Sequence, residues 1–205
     1  MPTKMKKILV APLLLLLASC VSIDTTVQLS ANGSGQIALT YTVSQMVANL
    51  GTVDKEWQKL PLPIREADFR QTVASIPGLA LTSYSQTEDS QNITIKASLA
   101  FTDLKALNQL YSPGSEGVTL NQTGGTTVYR QVIFQGFPDG IDQQSKDFAA
   151  AFFKDYHLNF TLATPAPIKN ASAGTISADK RHVSYDIPIL QLLDAKTPIV
   201  WVVTW

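Results

Sequence analysis

Three kinds of side chain in this 205-residue sequence are able to do chemistry: one thiol, two imidazoles, and hydroxyls set beside carboxylates. The thiol, Cys20, has no second cysteine with which to form a disulfide. His157 and His182 have no histidine or cysteine at metal-ligand spacing, so both read as solvated polar residues on strands and no metal site is expected. His182, Ser184 and Asp186 supply the residue types of a hydrolytic triad. Side chains at period two on one strand stand parallel, however, and do not point at one another. Gly33-Ser34-Gly35 reads as a turn, because a nucleophile elbow needs G-x-S-x-G between a strand and a helix. Asp139-Gly140-Ile141-Asp142 lacks the remaining oxygen ligands of a calcium loop, and no phosphate-cradling glycine loop or HExxH spacing occurs. No catalytic residue and no cofactor is expected, and the chain reads as a non-enzyme.

What precedes Cys20 gives the thiol its meaning. Lys4, Lys6 and Lys7 make a positive start, Ile8 to Leu17 an apolar run, and Leu17-Ala18-Ser19-Cys20 a close of small residues. These are the three parts of a secretory signal. The run is shorter than the roughly 20 apolar residues that span a hydrocarbon core, so cleavage is expected and not retention. Leu17 to Cys20 resembles the lipobox of bacterial lipoprotein precursors position by position, with Ser19 a less usual residue before the cut. The resemblance implies cleavage between Ser19 and Cys20, palmitate-type acylation at the Cys20 thiol and an acylated amino terminus. Two or more acyl chains hold a protein stably on a bilayer where one holds it only marginally. Val21 is not the aspartate that retains enteric-type lipoproteins at the inner membrane. The resemblance therefore places the protein in the cell envelope, on the outer membrane where there are two, and otherwise on the outer face of the cytoplasmic membrane.

Residues 1–19 are thus expected to be removed, residues 20–22 to form a lipidated tether, and residues 23–205 to fold as one domain. Removing 19 residues leaves 186, a size that suits a single core. The signal takes three of the 16 basic residues and none of the 16 acidic ones, so the remainder carries a net charge of −3. That excludes nucleic acid as a partner, whose phosphates demand a basic surface. With no further cysteine, stability must come from packing. The first strand is expected to begin three residues past Cys20, a tether of at most about 10 Å, so the domain hugs the bilayer.

Period-two apolar positions predict most of the strands. Ile23, Thr25, Val27 and Leu29 face one way and, after a turn at Ala31 to Gly35, Ile37, Leu39, Tyr41 and Val43 complete a hairpin. Further hairpins are expected over Leu79 to Gln86 with Asn92 to Phe101, and over Val118 to Gln122 with Thr126 to Gln135. Strands are also expected at His157 to Thr164, at Arg181 to Ile187 paired with Thr175 to Ser177, and at Pro198 to Trp205. Helices are predicted from Ser44 to Leu50, Arg65 to Ile76, Thr102 (as cap) to Tyr111, Asp142 to Asp155 and Ile189 to Ala195. The architecture this implies is α+β: a curved antiparallel sheet of successive hairpins with one face covered by about four helices. The last strand is apolar on both faces and must lie inside the sheet or close it against the first hairpin.

The turn Gly33-Ser34-Gly35, the pair Asn170-Ala171 and the late Trp201, in the order lipobox, hairpin and closing strands, resemble the LppM-type envelope lipoprotein domain. The resemblance implies a displayed α+β domain for which binding of a lipid or apolar ligand is expected, not catalysis. Phe148, Phe152 and Tyr156 on one helix, with Trp201 and Trp205 on the last strand, are either plain core or the lining of an apolar pocket. Trp57 and Phe153 form a candidate membrane or partner patch if exposed. The expected function is a membrane-anchored binding module for a lipid or other apolar ligand. Two alternatives remain: a structural or assembly lipoprotein that binds another envelope protein, and a hydrolase.

Overall fold

The structure, a computed structural model, describes residues 22–45, 63–111 and 117–205. The signal, Ser19, Cys20, Trp57 and the helix expected from Ser44 to Leu50 lie outside the described residues, apart from the start of that helix at Gln45. Eleven strands and four helices follow one another along these segments. A seven-stranded sheet contains β1 (Ser22–Leu29), β2 (Gly35–Ser44), β3 (Leu79–Glu88), β4 (Asn92–Phe101), β7 (His157–Ala163), β9 (Thr175–Ile176) and β10 (His182–Pro188). Their order across the sheet is β3-β4-β2-β1-β7-β10-β9. A four-stranded sheet orders β5 (Val118–Thr123), β6 (Thr126–Phe134), β11 (Ile199–Thr204) and β8 (Asn170–Ala171) as β5-β6-β11-β8.

The period-two pattern does in space what it suggests in sequence. One row of paired residues runs across all seven strands of the larger sheet: Leu81, Leu99, Ile37, Val27, Leu162, Val183 and Ile176. All are aliphatic, because a residue directly opposite another shares its face. Burying each such side chain contributes roughly 1.5–3 kcal/mol. The next row along, Ser98, Ala38, Thr26, Thr161, Ser184 and Thr175, is small and almost wholly polar, and faces water.

The expected single sheet is corrected to two. Helix α2 (Leu104–Tyr111) leaves β4 and crosses the dry face, burying Ala106 and Leu107. It carries the chain to β5, and the β5–β6 hairpin then pairs with β11 instead of extending the first sheet. Asn108 on α2 pins this crossing, donating to the Val118 carbonyl (2.6 Å) and accepting from its amide (2.5 Å). Nor is the larger sheet wholly antiparallel, since β1 and β7 run parallel over Ser22–Gln28 and His157–Ala163. Helix cover is also thinner than expected. Helix α1 (Glu66–Ser75) packs on β3, with Phe69 5.6 Å from Tyr84 between ring centroids. Helix α3 (Gln143–Phe153) packs against α4 (Ile189–Leu193) instead of the sheet, and the Lys146–Asp194 ion pair (2.5 Å) ties it there. The four-stranded sheet does the covering that helices were expected to do. One continuous core holds Val27, Ile37 and Leu162 from one sheet with Tyr129, Trp201 and Val203 from the other. The last strand, β11, lies inside the smaller sheet between β6 and β8.

Helix caps follow local chemistry. Asp142 caps α3 by accepting from the Ser145 amide at 2.9 Å. At α2 the capping oxygen belongs to Asp103, which accepts from the Ala106 amide at 2.9 Å, and not to Thr102 as expected. A carboxylate outcompetes a hydroxyl for the orphan amides of a first turn.

Three tyrosines with buried hydroxyls make the fold sensitive to alkali. Burial, with Tyr84 and Asp68 nearby, raises the Tyr41 pKa, burial alone raises that of Tyr111, and burial together with Tyr111 raises that of Tyr129. Folded, all three stay neutral above pH 10, where the unfolded chain gives up its phenolic protons. Their contribution is therefore intact below pH 10 and lost as pH rises beyond it, at about 1.4 kcal/mol per pH unit for each. Urea midpoints of the domain should be level from pH 7 to 9.5 and fall steeply between pH 10 and 11. A flat profile to pH 11 would mean that the rings are not sealed in.

Candidate functional site

The two sheets part at the end that carries the β1–β2 turn, opening a cleft of about 670 Å³. The turn at Ala31 to Gly33 forms one wall, Leu104 and Lys105 at the start of α2 another, and Leu120 and Gln122 on β5 a third. Trp205, Pro165 and Ala166 complete it.

Each wall is held by its own hydrogen bonds. Asn32 accepts from the Ser34 amide (3.1 Å) and hydroxyl (2.7 Å), closing an Asx turn, while Gly33 takes φ +83°. Trp205 and Thr127 exchange a reciprocal pair of backbone bonds at 3.0 and 2.9 Å. The Pro165–Ala166 loop is gripped twice: Thr164 Oγ1 donates to the Ala166 carbonyl at 2.7 Å, and Arg181 Nη1 to that of Pro165 at 2.5 Å. A cleft with walls fixed in this way is preformed, and its volume lies within the usual range of small-molecule sites, roughly 300–1,000 Å³. The carboxylate of Asp103 is occupied as a helix cap. Asp103 keeps its negative charge while it caps the helix, and Lys105 forms no ion pair among the described residues, so the cleft presents one carboxylate and one ammonium beside a mixed lining of Leu104, Leu120, Asn32 and Gln122.

Of the aromatic residues singled out in the sequence as core or pocket lining, the three whose side chains are described, Tyr156, Trp201 and Trp205, lie in three different places. Trp201 is 1% exposed and lies in the core between Tyr129 (6.4 Å between centroids) and Tyr185 (6.0 Å), with Nε1 donating to the Ala173 carbonyl at 3.0 Å. Trp205 lines the cleft. Tyr156 sits at the opposite end of the molecule, its ring 5.1 Å from that of Phe153. Phe148 and Phe152 belong to α3, and their side chains lie outside the described set. Phe153 is 36% exposed.

The hydroxyl, imidazole and carboxylate groups of β10 share the wet face but not a partner. Ser184 Oγ is 3.1 Å from Thr161 Oγ1. His182 lies 3.4 Å from Asp179, and Asp186 2.8 Å from His157. Among the described residues no three His, Cys, Asp or Glu side chains converge as metal ligands, and no helix is long and apolar enough to cross a membrane.

Sequence reasoning missed the cleft because its walls come from five separate stretches, none patterned as a motif. One usable signal was the coincidence of turn-forming Asn32-Gly33 with Pro165 and Trp205 at strand ends.

No family model matches the chain, and no curated protein matches it. Among solved structures it is similar to the Mycobacterium tuberculosis LppM protein folded domain, solved by NMR, at 12% identity and a TM-score of 0.47 over 90% of this chain and 88% of that one.

Proposed function

We propose that the mature protein is a membrane-anchored envelope lipoprotein whose domain binds a lipid or similar amphipathic molecule. The observation that carries this reading is the preformed cleft, with Trp205, Leu104, Leu120 and Ala166 to take an apolar body and Lys105 to take an anionic head. The eight residues of β1 separate Ser22 from the turn that walls the cleft, about 25 Å at roughly 3.3 Å per residue. On this reading Cys20 holds one end of the domain at the leaflet while the cleft opens away from it.

Native mass spectrometry of residues 21–205 should find lipid-mass adducts, and Ala166→Trp, which fills the cleft from a half-buried loop, should abolish them with little change in melting temperature. If neither co-purified nor added lipid binds, the assignment of the cleft falls. Cys20→Ala should release the protein from membrane pellets into the carbonate-soluble fraction; continued pelleting would overturn the lipid anchor.

Binding of another envelope protein has one observation on its side. Strand β3 is a ten-residue edge of the larger sheet, and an edge strand is a template for strand addition from a partner. The bulge between Leu81 and Ser83 interrupts that template part-way along. An edge with a break in it supports a partner less well than a held cleft supports a ligand.

A further inference from the structure

Phe153 is the only exposed large hydrophobic side chain among the described residues, and its place in the fold is informative. It closes α3 and stacks edge-on against Tyr156, whose carbonyl accepts from the Ile189 amide at 2.9 Å. The next residue, His157, pairs with Ser22, the first described residue of β1, and with Pro188 of β10. The exposed ring thus stands at the end of the sheet where the chain enters the domain, two residues beyond Cys20.

We propose that Phe153, backed by Tyr156, is a second membrane contact that inserts into the interfacial region of the leaflet and fixes the orientation of the domain. The proposal rests on the lipid-anchor reading above: a thiol acylated at position 20 brings the bilayer within about 10 Å of Ser22, at the end of the sheet where His157 follows this ring by four residues. Tethering changes what one aromatic can achieve. A lone phenylalanine does not recruit a protein from solution, but an acyl anchor has already met the cost of bringing the two together, and the ring then acts at high effective concentration. Tyrosine, apolar in body and polar at its tip, favours the headgroup boundary, and the Phe153 ring packed on Tyr156 adds apolar surface to it. The charges nearby argue for insertion over electrostatic attraction, because among the described residues Asp155 and Asp186 stand against Lys154, and Lys146 is already paired with Asp194. The partner is a lipid surface that need not be anionic. With this contact made, the domain stands with β1 directed away from the leaflet and the cleft faces outward.

The test uses full-length, lipidated protein floated with zwitterionic phosphatidylcholine vesicles. An environment-sensitive thiol label is placed at the neighbouring exposed Asp155→Cys, with Phe153 kept or changed to Ser, and, as the far-end control, at the exposed Thr123→Cys. Lipids with a quencher near the headgroup should cause loss of fluorescence at position 155 with Phe153 in place, much less with Phe153→Ser, and none at 123. Quenching at 155 that Phe153→Ser leaves unchanged, or equal fluorescence at 155 and 123 in protein that floats, would overturn the second contact while leaving the anchor intact. Protein that does not float, or in which Cys20 itself takes the label, would remove the anchor and this inference together.

Discussion

Trp201→Ala should lower the melting temperature of the domain by roughly 10 °C or more. Truncating a buried tryptophan costs about 3–5 kcal/mol, and in a domain of this size each kcal/mol shifts the midpoint by about 2–4 °C. The environment places Trp201 at the upper end of that range. It is 1% exposed, packs edge-on against Tyr129 of the same sheet, and reaches across to Tyr185 of the other. Its loss would uncouple the two sheets at their main aromatic bridge and leave the Ala173 carbonyl without its indole donor. Trp201→Phe keeps one ring but loses the N–H and part of the indole volume, so it should cost less than the alanine variant, about 2–3 kcal/mol. Differential scanning calorimetry of the pair grades the effect with the volume removed. A shift of only two or three degrees for the alanine variant would mean that the sheets are held together elsewhere.

The second large effect is expected at a glycine. Gly35→Val should leave the domain largely unfolded, because a Cβ at position 35 would lie 2.1 Å from the backbone oxygen of Gln28 and 2.6 Å from Phe101 Cζ. The first of those atoms belongs to the β1 ladder and cannot swing aside as a flexible side chain would. Opening the β1–β2 pairing there would also disturb the row that crosses the sheet, since Gly35 pairs with both Leu29 and Phe101. Gly124, in the β5–β6 turn, is the control: a side chain there meets nothing within 4 Å and only the positive φ of 58° resists it. Gly124→Asn should therefore cost under about 1 kcal/mol, asparagine tolerating that conformation well. Circular dichroism and urea titration of the two variants give the comparison. A folded Gly35→Val domain of near-normal stability would show that the close approach does not exist.

Gly35 also shows what local pattern conveys and what it does not. In sequence it reads as the end of a turn, Ala31 to Gly35, but in the structure it is the first residue of β2 and is required for close approach of the backbone. Gly33, two residues earlier, is a turn glycine in the ordinary sense, with φ +83°. Both are glycines beside a serine, and only the neighbours that fold against them tell them apart. The aromatic residues make the same point. A stripe on α3 and a stripe on β11 were each legible as apolar faces, yet α3 turns toward α4 and β11 toward the other sheet. Periodicity names a face and not its partner.

The sequence alone determined the elements. Alternation through Ile23 to Leu29, Ile37 to Val43 and Ile93 to Phe101 specified strands and their dry sides, and turn residues between them specified hairpins, because both depend on neighbours within a few positions. The caps and ends of α1, α2 and α3 were legible to within a residue or two for the same reason. Tertiary structure alone decided that β1 pairs in parallel with β7, far away in the chain, and that α2 carries the next hairpin into a second sheet. It also decided that Asn32, Lys105, Gln122, Ala166 and Trp205 wall one cleft. These are pairings between distant surfaces, chosen by the volume and shape each buries, and no short window of sequence carries that information.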